Sequence, residues 1–204
     1  MPRAAGQIDE RKREAILDAA SELFADKGPA ASMDEIARLA GVSKQTLYNR
    51  FSSKIEIGRA LAAGRSDIMT EPLRQGGEPR AALTAYVTGV IQKVCLAEKG
   101  SSLRGVALFS GQEPELAHAI YDAGPGESLR RLSAWLKDHA AEAGLVIDDP
   151  DRAAEMFTGM ALGHAHLRHI LNVPQPERDI AAAARETVDR FFRAFAAQGV
   201  DPRS

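Results

Sequence analysis

Residues 32–54 read SMDEIARLAGVSKQTLYNRFSSK. Ser32 is suited to cap a helix, and Glu35, three residues on, can reach back to the Ser32 backbone to complete a capping box. Ile36, Ala37 and Ala40 supply an apolar face, and Gly41 offers a C′ position free of the β-carbon penalty in the left-handed region. Val42 then plugs the turn, Ser43 caps a second helix, and Leu47 and Phe51, four apart, bury inward. Two short helices joined in this way, the second with a polar face, are the pattern of a DNA-reading helix-turn-helix.

The outer face of the second helix carries Lys44, Gln45, Thr46, Tyr48, Asn49 and Arg50, which can donate to phosphates or bond base edges in a major groove. Between Gly41 and Lys54 there are three basic residues and no acidic one, while the first 54 residues hold nine Lys plus Arg and eight Asp plus Glu. Positive charge is therefore expected on the reading surface rather than over the whole head.

The run from Ala40 to Lys54 resembles the signature of the tetracycline-repressor (TetR) family of bacterial transcriptional regulators, in a match covering roughly Arg11 to Leu61. The resemblance implies that Ser32, Thr46, Tyr48 and Lys54 touch the DNA backbone. It places Lys44, Gln45 and Asn49 at base edges or nearby phosphates, beside the capping Ser43. Gln45 departs from the small residue, often Gly, common at that position, which leaves room for an extra base contact.

The chain has 204 residues, a net charge of -2 and a pI of about 6.2, so DNA affinity has to be local rather than a property of bulk charge. A single cysteine, Cys95, excludes an intrachain disulfide framework; within VIQKVCL it reads as a buried helix position. Met1 to Arg13 is polar and charged, and no run approaches a membrane span, which predicts a cytoplasmic protein with no membrane partner. The sequence contains no glycine-rich phosphate loop, no His-Glu-x-x-His and no Gly-x-Ser-x-Gly. Neither an enzyme nor a cofactor is expected.

Helical periodicity runs through nearly the whole chain. Ile16, Leu17, Ala20, Leu23 and Phe24 form one stripe, expected from about Asp9 and closed by Gly28-Pro29. A connecting helix is expected from Ser53, capped through Glu56, to near Pro72, followed by a hinge loop at Gln75–Pro79. Beyond it the spacing predicts helices over 80–97, 102–110, a short one after Pro114, 126–143 and 150–171, the last capped by Asp149, and a final helix from Ile180. The expectation is an all-α chain: a three-helix helix-turn-helix head over 9–54, a connecting helix over about 53–71, and a larger helical body over 72–204, to which the family resemblance assigns effector binding and dimerisation.

The body, through RGVALFSGQEPELA (104–117), IYDAGP (120–125) and DPDRAAEMFTGM (149–160), is similar to the C-terminal domain of the AefR-like branch of the same family. That resemblance implies a homodimer built from the last two helices, and a pocket for a small, often apolar or aromatic effector. Phe157, Ala161, Ala184, Val188, Phe191 and Phe195 are the expected dimer residues, with an intrachain core as the other reading. Tyr86, Phe109, Trp135, Met156, Met160 and His164 are the large or polarizable side chains expected at the pocket. His164, His166 and His169 stand about 200° and 140° apart around a helix, which scatters the rings, so no metal is assigned to them.

The expected function is a sequence-specific regulator, a repressor released from a palindromic double-stranded operator by a small molecule. An activator, a constitutive regulator without ligand, and a dimeric interaction protein whose head no longer binds DNA stay open. Reading helices ~34 to 36 Å apart in a symmetric dimer would meet successive major grooves.

Overall fold

The structure, a computed structural model, describes residues 5–95 and 103–196. Its helices are α1 (Ala5–Lys27), α2 (Met33–Leu39), α3 (Lys44–Tyr48), α4 (Lys54–Met69), α5 (Glu71–Arg74), α6 (Pro79–Val90), α7 (Leu103–Phe109), α8 (Pro114–Ala123), α9 (Pro125–His139), α10 (Pro150–Leu162), α11 (Ala165–Leu171) and α12 (Ile180–Phe195). Apart from one antiparallel bridge between Leu145 and Ala196, the described residues hold no β structure. The all-α expectation is met.

The chain divides into two compact units, Met1–Gly64 with Glu98–Gly124, and Arg65–Ala97 with Pro125–Ser204. In the first, the α1 stripe packs Ile16 and Ala20, both fully buried, against Ile36, Ala37, Leu47, Phe51 and Ile57, with Leu17, Leu23, Phe24 and Val42 at the margin. The helix starts at Ala5, earlier than the Asp9 expected. A second cluster of the same unit joins Phe109, Leu116 and Ala117 to Ile55, Val106 and Ile120. Thus α7 and α8 pack on the start of α4. Gly58 permits that approach, since a β-carbon there would lie 2.7 Å from Leu116 Cδ1.

In the second unit α6, α9, α10 and α12 enclose a core of Leu83, Tyr86, Leu132, Leu136, Phe157, Val188 and Phe191. Tyr86 and Phe157 stack with ring centres 6.4 Å apart, and Phe157 and Phe191 meet at 4.6 Å. Glu78 caps α6 through the backbone N–H groups of Arg80 and Ala81, with Pro79 in the first turn; Asp149 and Asp179 cap α10 and α12 in the same way. The end of α6 widens into a π-helical turn at Ile91–Cys95.

Several expected boundaries shift for local reasons. The connecting helix stops at Met69 because a continuing helix would drive the Pro72 ring into the carbonyl one turn back; the chain restarts as α5. The helix expected through Leu171 breaks at Gly163, whose φ of 48° and ψ of -138° lie outside the helical region, and resumes as α11. The loop expected as a hinge, with Gly76 and Gly77 both at positive φ, falls inside the second unit. The ends expected at Ala97 and Ser102, and the side chain of Cys95, lie outside the described residues.

The residues expected at a dimer interface pack within this unit. Phe157, Ala161, Ala184, Val188 and Phe191 are at most 1% exposed within a single chain, and Phe195 packs at 4.7 Å against Phe191. The stripe on α12 is satisfied by α6 and α10 of the same unit. Their apolarity reports an intrachain core.

Candidate nucleic-acid interface

The capping box forms as the spacing requires. Glu35 N–H donates to Ser32 Oγ at 3.2 Å, and Ser32 N–H donates to Glu35 Oε2 at 2.9 Å. Lys27 donates to the same carboxylate at 2.6 Å, and this bond first, then the Ser32 backbone and hydroxyl, holds the Glu35 pKa down from 4.5 to about 2. At the other end of α2, Gly41 takes a φ of 66°, Val42 N–H reaches Ala37 O at 3.0 Å and Gly41 N–H reaches Arg38 O at 3.2 Å, a Schellman closure. Ser43 then caps α3 by accepting from Thr46 N–H at 3.1 Å. Capped at both ends of the turn and anchored by fully buried Leu47, the five-residue α3 is held in one orientation.

Lys44, Gln45, Tyr48 and Asn49 are exposed on that helix, and Thr46 is half-buried with its hydroxyl 2.8 Å from that of Ser43. Gln45 Nε2 donates to Asn49 Oδ1 at 2.8 Å, so the two amides form one outward-facing pair. Ser32, Tyr48 and Lys54 line a single surface cleft of about 360 Å³ with Ala30, Ala31, Met33 and Asp34. The structure therefore brings together three residues that the resemblance gave to the DNA backbone, from three different helices or their caps.

The electrostatics differ from the sequence expectation. All three cations between Gly41 and Lys54 are paired with carboxylates from outside that run. Lys44 meets Asp34 at 2.5 Å, and this hydrogen bond raises the lysine pKa. Arg50 turns away from the reading face and pairs with Asp9, leaving its Nε buried without a partner. Lys54 Nζ donates to Pro29 O at 2.6 Å and to Glu113 Oε1 at 3.2 Å. Asp34 and Glu113 stand 10 and 59 residues from their partners, and neither separation carries a signal that sequence reasoning could have used.

The residues expected at an effector pocket are scattered. Phe109 belongs to the first unit, in the cluster with Leu116. In the second unit Tyr86 is buried against Phe157, and Trp135 stacks on His139 at 4.6 Å. Met156 and Met160 are exposed, and His164 is exposed at the break before α11. Burial pushes the Tyr86 phenol up, partly offset by the nearby Thr158 hydroxyl. Thr158 Oγ1 makes no hydrogen bond of ordinary geometry, and His169 Nε2 is likewise buried and unpartnered, whereas His166 Nδ1 lies 2.8 Å from Gly163 O. A separate open groove of about 670 Å³ runs between α6 and α12, lined by Thr84, Thr88, Gln92, Arg185 and Asp189 among others.

Comparison with known proteins agrees with this geometry. Residues 16–61 match the family model of bacterial regulatory proteins of the tetR family, and residues 81–197 match that of the AefR-like transcriptional repressor C-terminal domain. The chain is 50% identical over 68 residues to the HTH-type transcriptional activator FasR of Mycolicibacterium smegmatis, a match covering 33% of this chain and 31% of that protein. The chain thus spans about a third of the length of that curated relative. Among solved structures, a TetR-family regulator from Mesorhizobium loti superposes with a TM-score of 0.74 at 23% identity, covering 93% of this chain and 98% of its own. The Flavonoid-responsive Regulator FrrA superposes with a TM-score of 0.68 at 28% identity, over 93% and 100% of the two chains.

Proposed function

The chain belongs to the TetR family of bacterial DNA-binding transcriptional regulators, with an AefR-like C-terminal domain, and from that premise we propose that it is a homodimeric repressor of a palindromic operator, relieved by a small molecule. The observation that carries the DNA role is the shared cleft of Ser32, Tyr48 and Lys54 beside the exposed Lys44, Gln45 and Asn49. Phosphates in the cleft fix register, and the side chains of α3 read base edges. Selection of bound duplexes from a random pool at stated salt tests this. A palindromic winner bound far more tightly than random DNA is expected; no enrichment would leave the interaction-protein reading in its place.

The proposed division of labour keeps reading in the head, 9–54, and effector binding and dimerisation in the body, 72–204, of a cytoplasmic protein without catalytic activity. Among the described residues no helix is long and apolar enough to cross a membrane. The partner-facing surface is the outward side of α10 and α11 and the residues just beyond, where Met156, Met160, Leu167, Leu171 and Val173 are 37 to 63% exposed. Such a run of exposed large apolar side chains is what a second copy would cover.

For the effector, the groove between α6 and α12, where Val188 and Ala85 stand beside Thr84, Thr88 and Gln92, supports a ligand that combines an apolar body with hydrogen-bonding groups. The name of FrrA points the same way, toward flavonoid-like aromatics. Binding coupled to operator release by about 1 to 3 kcal/mol gives a 5- to 150-fold loss of affinity. A flavonoid library that neither raises the thermal midpoint nor releases the operator would remove this part. An activator is the second reading, favoured by the name of FasR; transcript levels of the controlled gene in a deletion strain, raised or lowered, separate the two.

A further inference from the structure

We infer that Glu113 is a built-in counter-ion of Lys54 that competes with a DNA phosphate for its charge, so that α8 tunes the strength of backbone binding by the head. The inference rests on the reading of Lys54 as a backbone contact. An ammonium has three donors. Here one is committed to Pro29 O at 2.6 Å and a second to Glu113 Oε1 at 3.2 Å. The shorter bond fixes the lysine at the cleft, a third donor stays open among the described residues, and the Glu113 carboxylate at the longer bond offsets the positive charge that a phosphate oxygen would meet. Both side chains are partly exposed, at 27% and 39%, so DNA can reach the pair.

Nothing local explains why the Glu113 side chain points at Lys54. It is the N-cap of α8, yet its side chain makes no capping bond to its own helix. Leu116 and Ile120 of α8 lie over Gly58 and bring the start of α8 to the start of α4. Asp34 and Asp9, which neutralise Lys44 and Arg50, come from the head itself. Glu113 differs from them in belonging to the 81–197 segment matched by the C-terminal domain model. A segment of the effector domain thereby holds a DNA-binding lysine of the head.

Displacement has an ionic signature. When Lys54 moves to a phosphate, DNA releases a counter-ion and the freed carboxylate takes one up, so the salt dependence of binding is shallower than the number of phosphate contacts implies. The experiment measures affinity for the selected operator and for a random duplex across a salt series, using the full chain and Glu113→Gln, Glu115→Gln, Lys54→Ala and the Lys54→Ala/Glu113→Gln pair. Glu113→Gln is expected to bind both duplexes roughly two- to fivefold more tightly, the range of a partly exposed ion pair, with a salt slope steeper by up to about 0.9. The gain should vanish on the Lys54→Ala background, and Glu115→Gln, which removes the same charge at an exposed site, should show little of it. Unchanged or weaker binding by a folded Glu113→Gln overturns the inference, as does an equal gain from Glu115→Gln. A Lys54→Ala protein that binds as well as the parent overturns the premise instead, with the selected operator still showing that the head reads DNA. If Glu113→Gln does not fold, Glu113→Asp shortens the reach to Lys54 and should give a smaller gain of the same sign.

Discussion

At the start of α2 one carboxylate closes three bonds, to Lys27, to the Ser32 backbone and to the Ser32 hydroxyl. Glu35 is ordinarily half-protonated at 4.5 and here at about 2. A depressed carboxylate stabilises the fold fully above its unfolded pKa and loses that contribution as pH falls through the folded one. Urea titrations between pH 6 and 2 should therefore show a loss of head stability below about pH 4.5 that is absent in Glu35→Gln. Ser32→Ala should lower stability by about 1 kcal/mol at neutral pH, the usual worth of a helix cap. On α3, Gln45 and Asn49 are bonded at 2.8 Å and should read bases as a unit. A double-mutant cycle with Gln45→Ala and Asn49→Ala, scored as base preference on operator variants, is expected to be non-additive by roughly 0.5 kcal/mol or more; strict additivity would mean that the amides act independently.

Among the elements, α2 and α3 are too short to be stable by propensity, and their caps and turn do the fixing. Gly41 holds a φ of 66°, and a β-carbon added there would meet nothing within 4 Å, so Gly41→Ala is a pure backbone test. It should destabilise the head by about 1 to 2 kcal/mol, the cost of a left-handed alanine, as measured by thermal unfolding. The break at Gly163 has a different origin. The periodicity of residues 150–171 continues across it, but the glycine conformation divides the run into α10 and α11 and changes the direction of every side chain beyond. That is why Leu167 and Leu171, on α11, do not continue the helical wheel that carries Met156 and Met160 on α10.

For the whole molecule, intrachain core and outward surface make separable predictions. Phe191→Ala removes a fully buried ring between Phe157 and Phe195 and should cost about 3 to 5 kcal/mol in chemical denaturation. Met160→Asp changes a side chain that is 37% exposed and should leave helix content intact while converting the proposed dimer to monomer in sedimentation. A Phe191→Ala protein of unchanged stability would move that ring back to the interface, and a dimeric Met160→Asp protein would place the partner elsewhere.

The head was legible from residues because its determinants are local. Caps, a left-handed glycine and an inward Leu47 and Phe51 act within a few positions of one another, and each appears where the spacing put it. Helix type in the body was legible for the same reason, since apolar periodicity is a property of each helix alone. Which neighbour each apolar face meets is not: the stripe on α12 is equally suited to a partner chain or to α6 and α10, and only the tertiary packing assigned it to its own core. Charge followed the same division. The cations of the reading region stand in the sequence, but their neutralisation by Asp34, Asp9 and Glu113 depends on distances that exist only once the chain has folded.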